Sequence, residues 1–123
     1  MNILITGGTG MIGSALVKKL QDANHEIRIV SRSKSDNPQS YIWDIKNGEI
    51  DEKVFQDLDG IIHLAGASIG ERWTDEYKKE LYSSRIDSAN LLLRTCEKLQ
   101  KKLKLLIFSF FFILIDLSFI QYG

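Results

Sequence analysis

Residues 5–13, ITGGTGMIG, place four glycines within seven positions, directly after an apolar run and directly before a helical one. A turn that bare, between a first strand and a first helix, presents backbone N–H groups at the positive end of a helix dipole. That is an anion site, suited to a pyrophosphate. The spacing satisfies GxxGxxG as Gly7, Gly10 and Gly13, and GxGxxG as Gly8, Gly10 and Gly13. Gly7 permits the tight turn, Gly10 lets the backbone approach phosphates, and Gly13 lets the helix lie close on the sheet. Thr9, Met11 and Ile12 lie between these glycines and are candidate members of the same site. The rival reading is a flexible turn that happens to be glycine-rich. A P-loop is excluded, because no Lys-Ser/Thr pair follows the last glycine. A methyltransferase glycine loop stays open as an alternative, although such a loop normally stops before a third, helix-embedded glycine.

A second cluster decides which dinucleotide fits. Sites for NAD place a carboxylate about 20 residues past the glycines, on the ribose hydroxyls. Here that place holds Ser31, Arg32, Ser33 and Lys34, with Arg32 nineteen positions beyond Gly13. A cation about 4 Å from a 2′-phosphate contributes up to about 4 kcal/mol at an effective dielectric near 20. NADP is therefore expected over NAD, against the alternative that Arg32 and Lys34 are solvated loop charges. Asp44, after a third strand, is a candidate acceptor for an adenine amino group and equally an ordinary turn aspartate. His63 lies in an apolar strand and reads as a packed, hydrogen-bonded histidine rather than a catalyst. Ala65, Gly66 and Ala67 behind it are small enough to let a cofactor cross the sheet edge.

The elements that must hold these residues follow from periodicity. Residues 2–6, NILIT, are a short apolar run ended by glycine, as a strand buried on both faces would be. Ile12, Ala15, Leu16 and Leu20 recur at helical intervals, and Asn24 is placed to end that helix in the left-handed conformation. A second strand spans Glu26 to Ser31 and a third Tyr41 to Trp43, separated by a polar loop holding the only proline. A short helix is expected within Asp51 to Leu58, and a fourth strand over Gly60 to Ala65. Thr74 is a candidate N-cap with Asp75 and Glu76 in the first turn, after which Tyr77, Leu81, Ser88, Leu92, Cys96 and Leu99 hold helical spacing. Strands alternating with helices imply βαβ units and a parallel sheet with right-handed crossovers.

With 123 residues the chain is one domain, small for an enzyme with separate cofactor and substrate halves. Sixteen acidic and sixteen basic side chains balance, which argues against a nucleic-acid or anionic-lipid partner. One cysteine, Cys96, makes no internal disulfide, and the start lacks the features of a secretory signal, so a cytoplasmic location is expected. No metal-ligating set is nominated.

The stretches ITGGTGMIGSALVKKL, VSRS, HLAGASIGERWT and SSRIDSANLL together resemble the extended short-chain dehydrogenase/reductase family, within its NAD-dependent epimerase/dehydratase-like members. More narrowly they are similar to an epimerase-like branch of NADP-dependent oxidoreductases whose substrates are mostly unassigned. The resemblance covers roughly residues 1–108. It implies an α/β fold, a Rossmann-type doubly wound parallel sheet, here truncated after about the fifth strand. It also implies that Gly7 to Gly13 cradle the pyrophosphate, Ser31 and Arg32 hold the 2′-phosphate, and Leu64 and Ala65 pass along the adenosine and ribose. Glu80 and Arg85 match positions that reach the cofactor site in that family, with a solvated helix face as the rival reading.

The family's fifth strand resembles VLISASAVGYYG, with small residues beside the nicotinamide. Here Lys104 to Phe108 begins such a strand and SFFFILIDLSFIQYG follows, so residues 109–123 read as an apolar tail departing from the pattern. Ser109 is a candidate for that strand's first serine, and Tyr122 falls too late to align. No Tyr-x-x-x-Lys follows the fifth strand, so no catalytic residue is nominated. A frameshift or truncated reading frame would produce such a switch. Leu105 to Ile120 is short of the about 20 residues a membrane span needs, and its β-propensity and low charge fit a buried or aggregation-prone strand better. Three functions are thus in play. They are the cofactor half of an NADP-dependent epimerase-like oxidoreductase of unknown small-molecule substrate, a non-catalytic NADP-binding sensor or interaction module, and an inactive fragment that self-associates through an exposed sheet edge.

Overall fold

The computed structural model describes residues 1–7, 11–33, 35–64 and 74–108. Strand β1 (Asn2–Thr6) is the middle of the sheet, and Ile3, Leu4 and Ile5 are each at most 1% exposed. A strand buried on both faces needs just such an uninterrupted apolar run. Helix α1 (Met11–Asp22) leads to β2 (Glu26–Ser31), which pairs in parallel with β1 from Asn2↔Glu26 to Thr6↔Val30. Asn24 ends α1 at φ 69°, as expected. The His25 N–H reaches the Leu20 carbonyl at 3.0 Å and the Asn24 N–H reaches Gln21 at 2.9 Å, a Schellman closure that satisfies the last carbonyls.

Strand β3 (Ser40–Asp44) adds to β2 in parallel, and a hairpin returns through β4 (Glu49–Ile50), a two-residue antiparallel strand that the sequence pattern does not announce. The short helix expected within residues 51–58 is a single 3₁₀ turn, Glu52–Phe55, capped by the Asp51 carboxylate accepting from the Lys53 N–H at 3.0 Å. Strand β5 (Gly60–His63) lies on the other side of β1, and β6 (Leu105–Phe108) lies outside β5. Between them runs α2 (Asp75–Lys98), with Thr74 just before its acidic first turn. It ends one residue before the expected Leu99, which is exposed, and Gln100 at φ 52° closes it as Asn24 closes α1.

The strand order is β4-β3-β2-β1-β5-β6. The two sheet faces carry separate cores, so the sheet is doubly wound. Ile3, Ile5, Ile27 and Ile62 pack under Leu16, Val17 and Leu20 of α1. Leu4, Val30, Trp43, Val54, Phe55 and Ile61 pack under Leu91, Leu92 and Cys96 of α2. The expected inner face of α1 is corrected at its start. Ile12 is 76% exposed and Ala15 is exposed, while Gly13 and Val17 are buried. Gly13, Leu16, Val17 and Leu20 form the i, i+3, i+4, i+7 stripe, from which Ile12 is rotated by about a quarter turn.

Buried Arg28 has no place in a simple apolar strand. Its guanidinium donates from Nη1 to the Val54 carbonyl at 2.8 Å and to the Gln56 carbonyl, tying the 3₁₀ turn to β2. Among the described residues no helix is long and apolar enough to cross a membrane.

Candidate functional site

From β1 the chain crosses through α1 to β2 and onward to β3, then returns past β1 to β5 and proceeds the opposite way through α2 to β6. The direction of winding therefore reverses between β1 and β5. In open α/β sheets the crevice beyond the carboxyl ends of the strands at that reversal is where ligands bind.

The parallel register brings the candidate residues to this one edge. Thr6 pairs with Val30 on one side and His63 on the other, so Gly7, Ser31 and Leu64 emerge side by side. Gly7 turns off β1 at φ 72°, a conformation open to glycine and strained for other residues. α1 begins at Met11, four positions after Gly7, and buried Gly13 lets the helix sit down on the sheet. Ser31 closes β2 with its hydroxyl donating to the Ser33 carbonyl at 2.8 Å, and Arg32 is exposed just past the strand. Thr9, Gly10, Lys34, Ala65, Gly66 and Ala67 lie outside the described residues, as do the side chains of Met11 and Glu80.

Asp44 ends β3 at the same edge. Its carboxylate accepts from the Asn47 side-chain amide at 2.7 Å and from the Asn47 backbone N–H at 3.2 Å, which holds its pKa below the usual carboxylate value. It is thus a turn aspartate by geometry, with lone pairs remaining on both oxygens. Beside that turn an open polar groove faces α2, lined by Lys46, Asn47, Asp87, Asn90 and Arg94. Arg85 is half-buried on α2 rather than fully solvated, and burial lowers the pKa of its guanidinium.

Sequence reasoning missed Thr6 and Ser88. The Leu64 N–H donates to Thr6 Oγ1 at 3.0 Å, and Thr6 Oγ1 lies 2.6 Å from His63 Nδ1. On the other side of the ring, His63 Nε2 lies 3.0 Å from Ser88 Oγ, whose hydroxyl donates to the Arg85 carbonyl at 3.1 Å. A neutral imidazole with its proton on Nε2 satisfies all of these contacts at once, with Thr6 donating to Nδ1. Burial, helped by the Arg85 charge, pushes the His63 pKa down to about 4, in keeping with that neutral form. The expected packed, hydrogen-bonded histidine is what the structure contains. A threonine closing an apolar run offered no sign of its partner 57 residues away.

The model of the NAD dependent epimerase/dehydratase family matches residues 3–110. The chain belongs to that family. An epimerase family protein of Staphylococcus aureus is 42% identical over 106 residues, covering 84% of this chain and 35% of that protein. One from Staphylococcus haemolyticus is 44% identical over 93 residues, covering 73% of this chain and 30% of that protein. The chain thus spans about a third of the length of the epimerase family relatives it matches. Among solved structures, a human epimerase family protein with NADPH superposes with a TM-score of 0.70 at 31% identity, over 88% of this chain and 36% of that one. The UDP-glucose 4-epimerase of Bifidobacterium longum, in complex with NAD+ and UDP, gives 0.69 at 25% identity, over 89% and 36%. Nicotinamide dinucleotides are the family's cofactors.

Proposed function

We propose that this chain binds NADP at the carboxyl edge of its sheet, as the cofactor-holding part of an epimerase-like oxidoreductase. The observation that carries the reading is the register that brings Gly7 at φ 72° and the end of β2, with exposed Arg32 just past it, to one carboxyl edge of the sheet next to the β1–β5 reversal. Gly7, Thr9, Gly10, Met11, Ile12 and Gly13 would hold the pyrophosphate, Ser31 and Arg32 the 2′-phosphate, and Leu64, Ala65 and Gly66 the ribose side. Asp44 would border the adenine, and Glu80 and Arg85 would approach from α2. The NADPH in the human neighbour supports this choice, although the Bifidobacterium enzyme carries NAD+.

When bound, the cofactor supplies or accepts hydride at a hydroxyl or carbonyl carbon. This chain's own residues bind and orient it, and no acid/base group is assigned to them. A reducing cytoplasm suits the free, buried Cys96. Calorimetric titration of the purified chain with NADP and NAD, repeated with Arg32→Asp, tests the reading. NADP binding that weakens on substitution supports it, and absence of binding of either nucleotide sinks it.

One observation favours another role. The apolar residues on β6, at the sheet edge, favour self-association, the behaviour expected of an inactive fragment. If the switch into SFFFILIDLSFIQYG comes from a frameshift, sequencing the coding DNA will find an intact longer frame.

A further inference from the structure

The Thr6↔His63 pair is the last rung of the β1–β5 ladder. Beyond it Gly7 leaves the strand direction, and the last backbone bond among the described residues runs from the Leu64 N–H to the Thr6 carbonyl at 3.1 Å. No short connection joins these strands, because the winding reverses there and the crossovers depart in opposite directions. Among the described residues backbone pairing therefore ends where a crossing ligand needs both strand ends at a fixed spacing.

We propose that the hydrogen-bond chain Leu64 N–H, Thr6, His63, Ser88 and the Arg85 carbonyl is a positioning clamp for the cofactor cradle, holding the carboxyl ends of β1 and β5 together and tying both to α2. The inference rests on the NADP-binding reading of this edge. Thr6 and Ser88 are fully buried and His63 is 3% exposed, so each polar atom carries a desolvation cost that only its partners offset. Apolar side chains would fill this space as well. What they lack is direction, since packing tolerates sliding and a chain of buried hydrogen bonds fixes separations and angles. The three elements it joins each lead into the site: Thr6 precedes Gly7, His63 precedes Leu64, and Ser88 follows Arg85 by three positions. His63 is a positioning residue here, acting through its neighbours and not on substrate.

The test compares the full 123-residue chain with Thr6→Val, Thr6→Ser and Ser88→Ala, using NADP calorimetry and amide hydrogen exchange. Thr6→Val keeps the shape and removes the hydroxyl, so NADP affinity should fall about tenfold. Thr6→Ser restores the hydroxyl and should bind within about twofold of the parent, a rescue that bulk packing would not give. Exchange at the Gly7 and Leu64 amides should quicken in Thr6→Val and Ser88→Ala, while Ile27 and Ile29 stay protected. Unchanged affinity in Thr6→Val, or equal loosening of all these amides, overturns the clamp. If the parent chain takes up no NADP, the binding reading fails, and exchange alone then decides: local quickening supports the clamp and unaltered exchange overturns it. Should Thr6→Val not fold, Ser88→Ala carries the same comparison.

Discussion

The His63 imidazole meets the Trp43 ring edge-on, with centroids 6.5 Å apart and planes at 85°. With Thr6 and Ser88 on its nitrogens, the ring is sealed from water. Among the described residues Arg85 on α2 is the charged group whose field reaches it, and it repels a second positive charge. The folded pKa of about 4 lies below the unfolded value near 6.5, so the unfolded chain takes up the proton first as the pH falls. Stability from this group is complete above pH 6.5 and is lost on the way down to pH 4. The loss amounts to about 3 kcal/mol. Urea unfolding at pH 7 and pH 4.5 should show it, and His63→Gln should flatten that part of the profile. A wild-type profile that stays level between those pH values would count against a buried neutral histidine.

Arg32 sits at the end of β2 with its side chain exposed, one residue beyond Ser31. Reversing its charge with Arg32→Asp turns attraction for a 2′-phosphate into repulsion and supplies the carboxylate that a free ribose prefers. NADP affinity should drop about a hundredfold while NAD holds or gains. Since the position lies off the core, the unfolding midpoint should stay put. Equal losses for the two nucleotides would show that Arg32 does not discriminate between them.

Much of this arrangement was legible in the sequence because it depends on local pattern. The run Ile3-Leu4-Ile5 is long and apolar enough to declare a strand buried on both faces, and Asn24 is one of the few residue types that tolerate the left-handed turn it makes. The first glycine of the spacing marks the end of β1, where Gly7 takes φ 72°, for the same reason. Ile12 was misread because an apolar residue in a first turn fits helical spacing whichever way the turn faces. Glu49–Ile50 is too short for alternation to show. Arg28 and Thr6 were missed because their partners, Val54 and His63, are brought near only by the sheet.

Gly60 faces Leu105 across the β5–β6 pair, and a Cβ there would come within 2.9 Å of the Leu105 Cβ and 3.2 Å of its carbonyl oxygen. The obstacle is a Cβ and a backbone atom, so it cannot swing aside. Gly60→Ala should push the start of β6 outward and cost about 1–3 kcal/mol by urea unfolding. Amide exchange should quicken at Leu105 before it does in β1. Full retention of stability would mean that β6 docks more loosely than this contact implies.

At the outer edge among the described residues, the Leu105 N–H donates to the Asp59 carbonyl at 3.3 Å, so in a parallel ladder the N–H and C=O of Leu106 face away from β5. Leu106 and Ile107 are each 44% exposed, on opposite faces of the strand. No charge or proline interrupts β6 to deter a second strand, and the chain carries no net charge to keep copies apart. Antiparallel pairing of two β6 edges would set the KKLK leads at opposite ends, whereas parallel pairing would stack them. Sedimentation velocity should therefore show concentration-dependent dimers. Leu106→Pro removes the outward N–H and leaves the β5 ladder intact, and Ile107→Lys adds charge to the exposed face. Both should shift the chain toward monomer without lowering NADP affinity. A wild-type chain that sediments as monomer up to about 100 μM, well above the micromolar range of weak specific pairing, would rule the edge out as a contact.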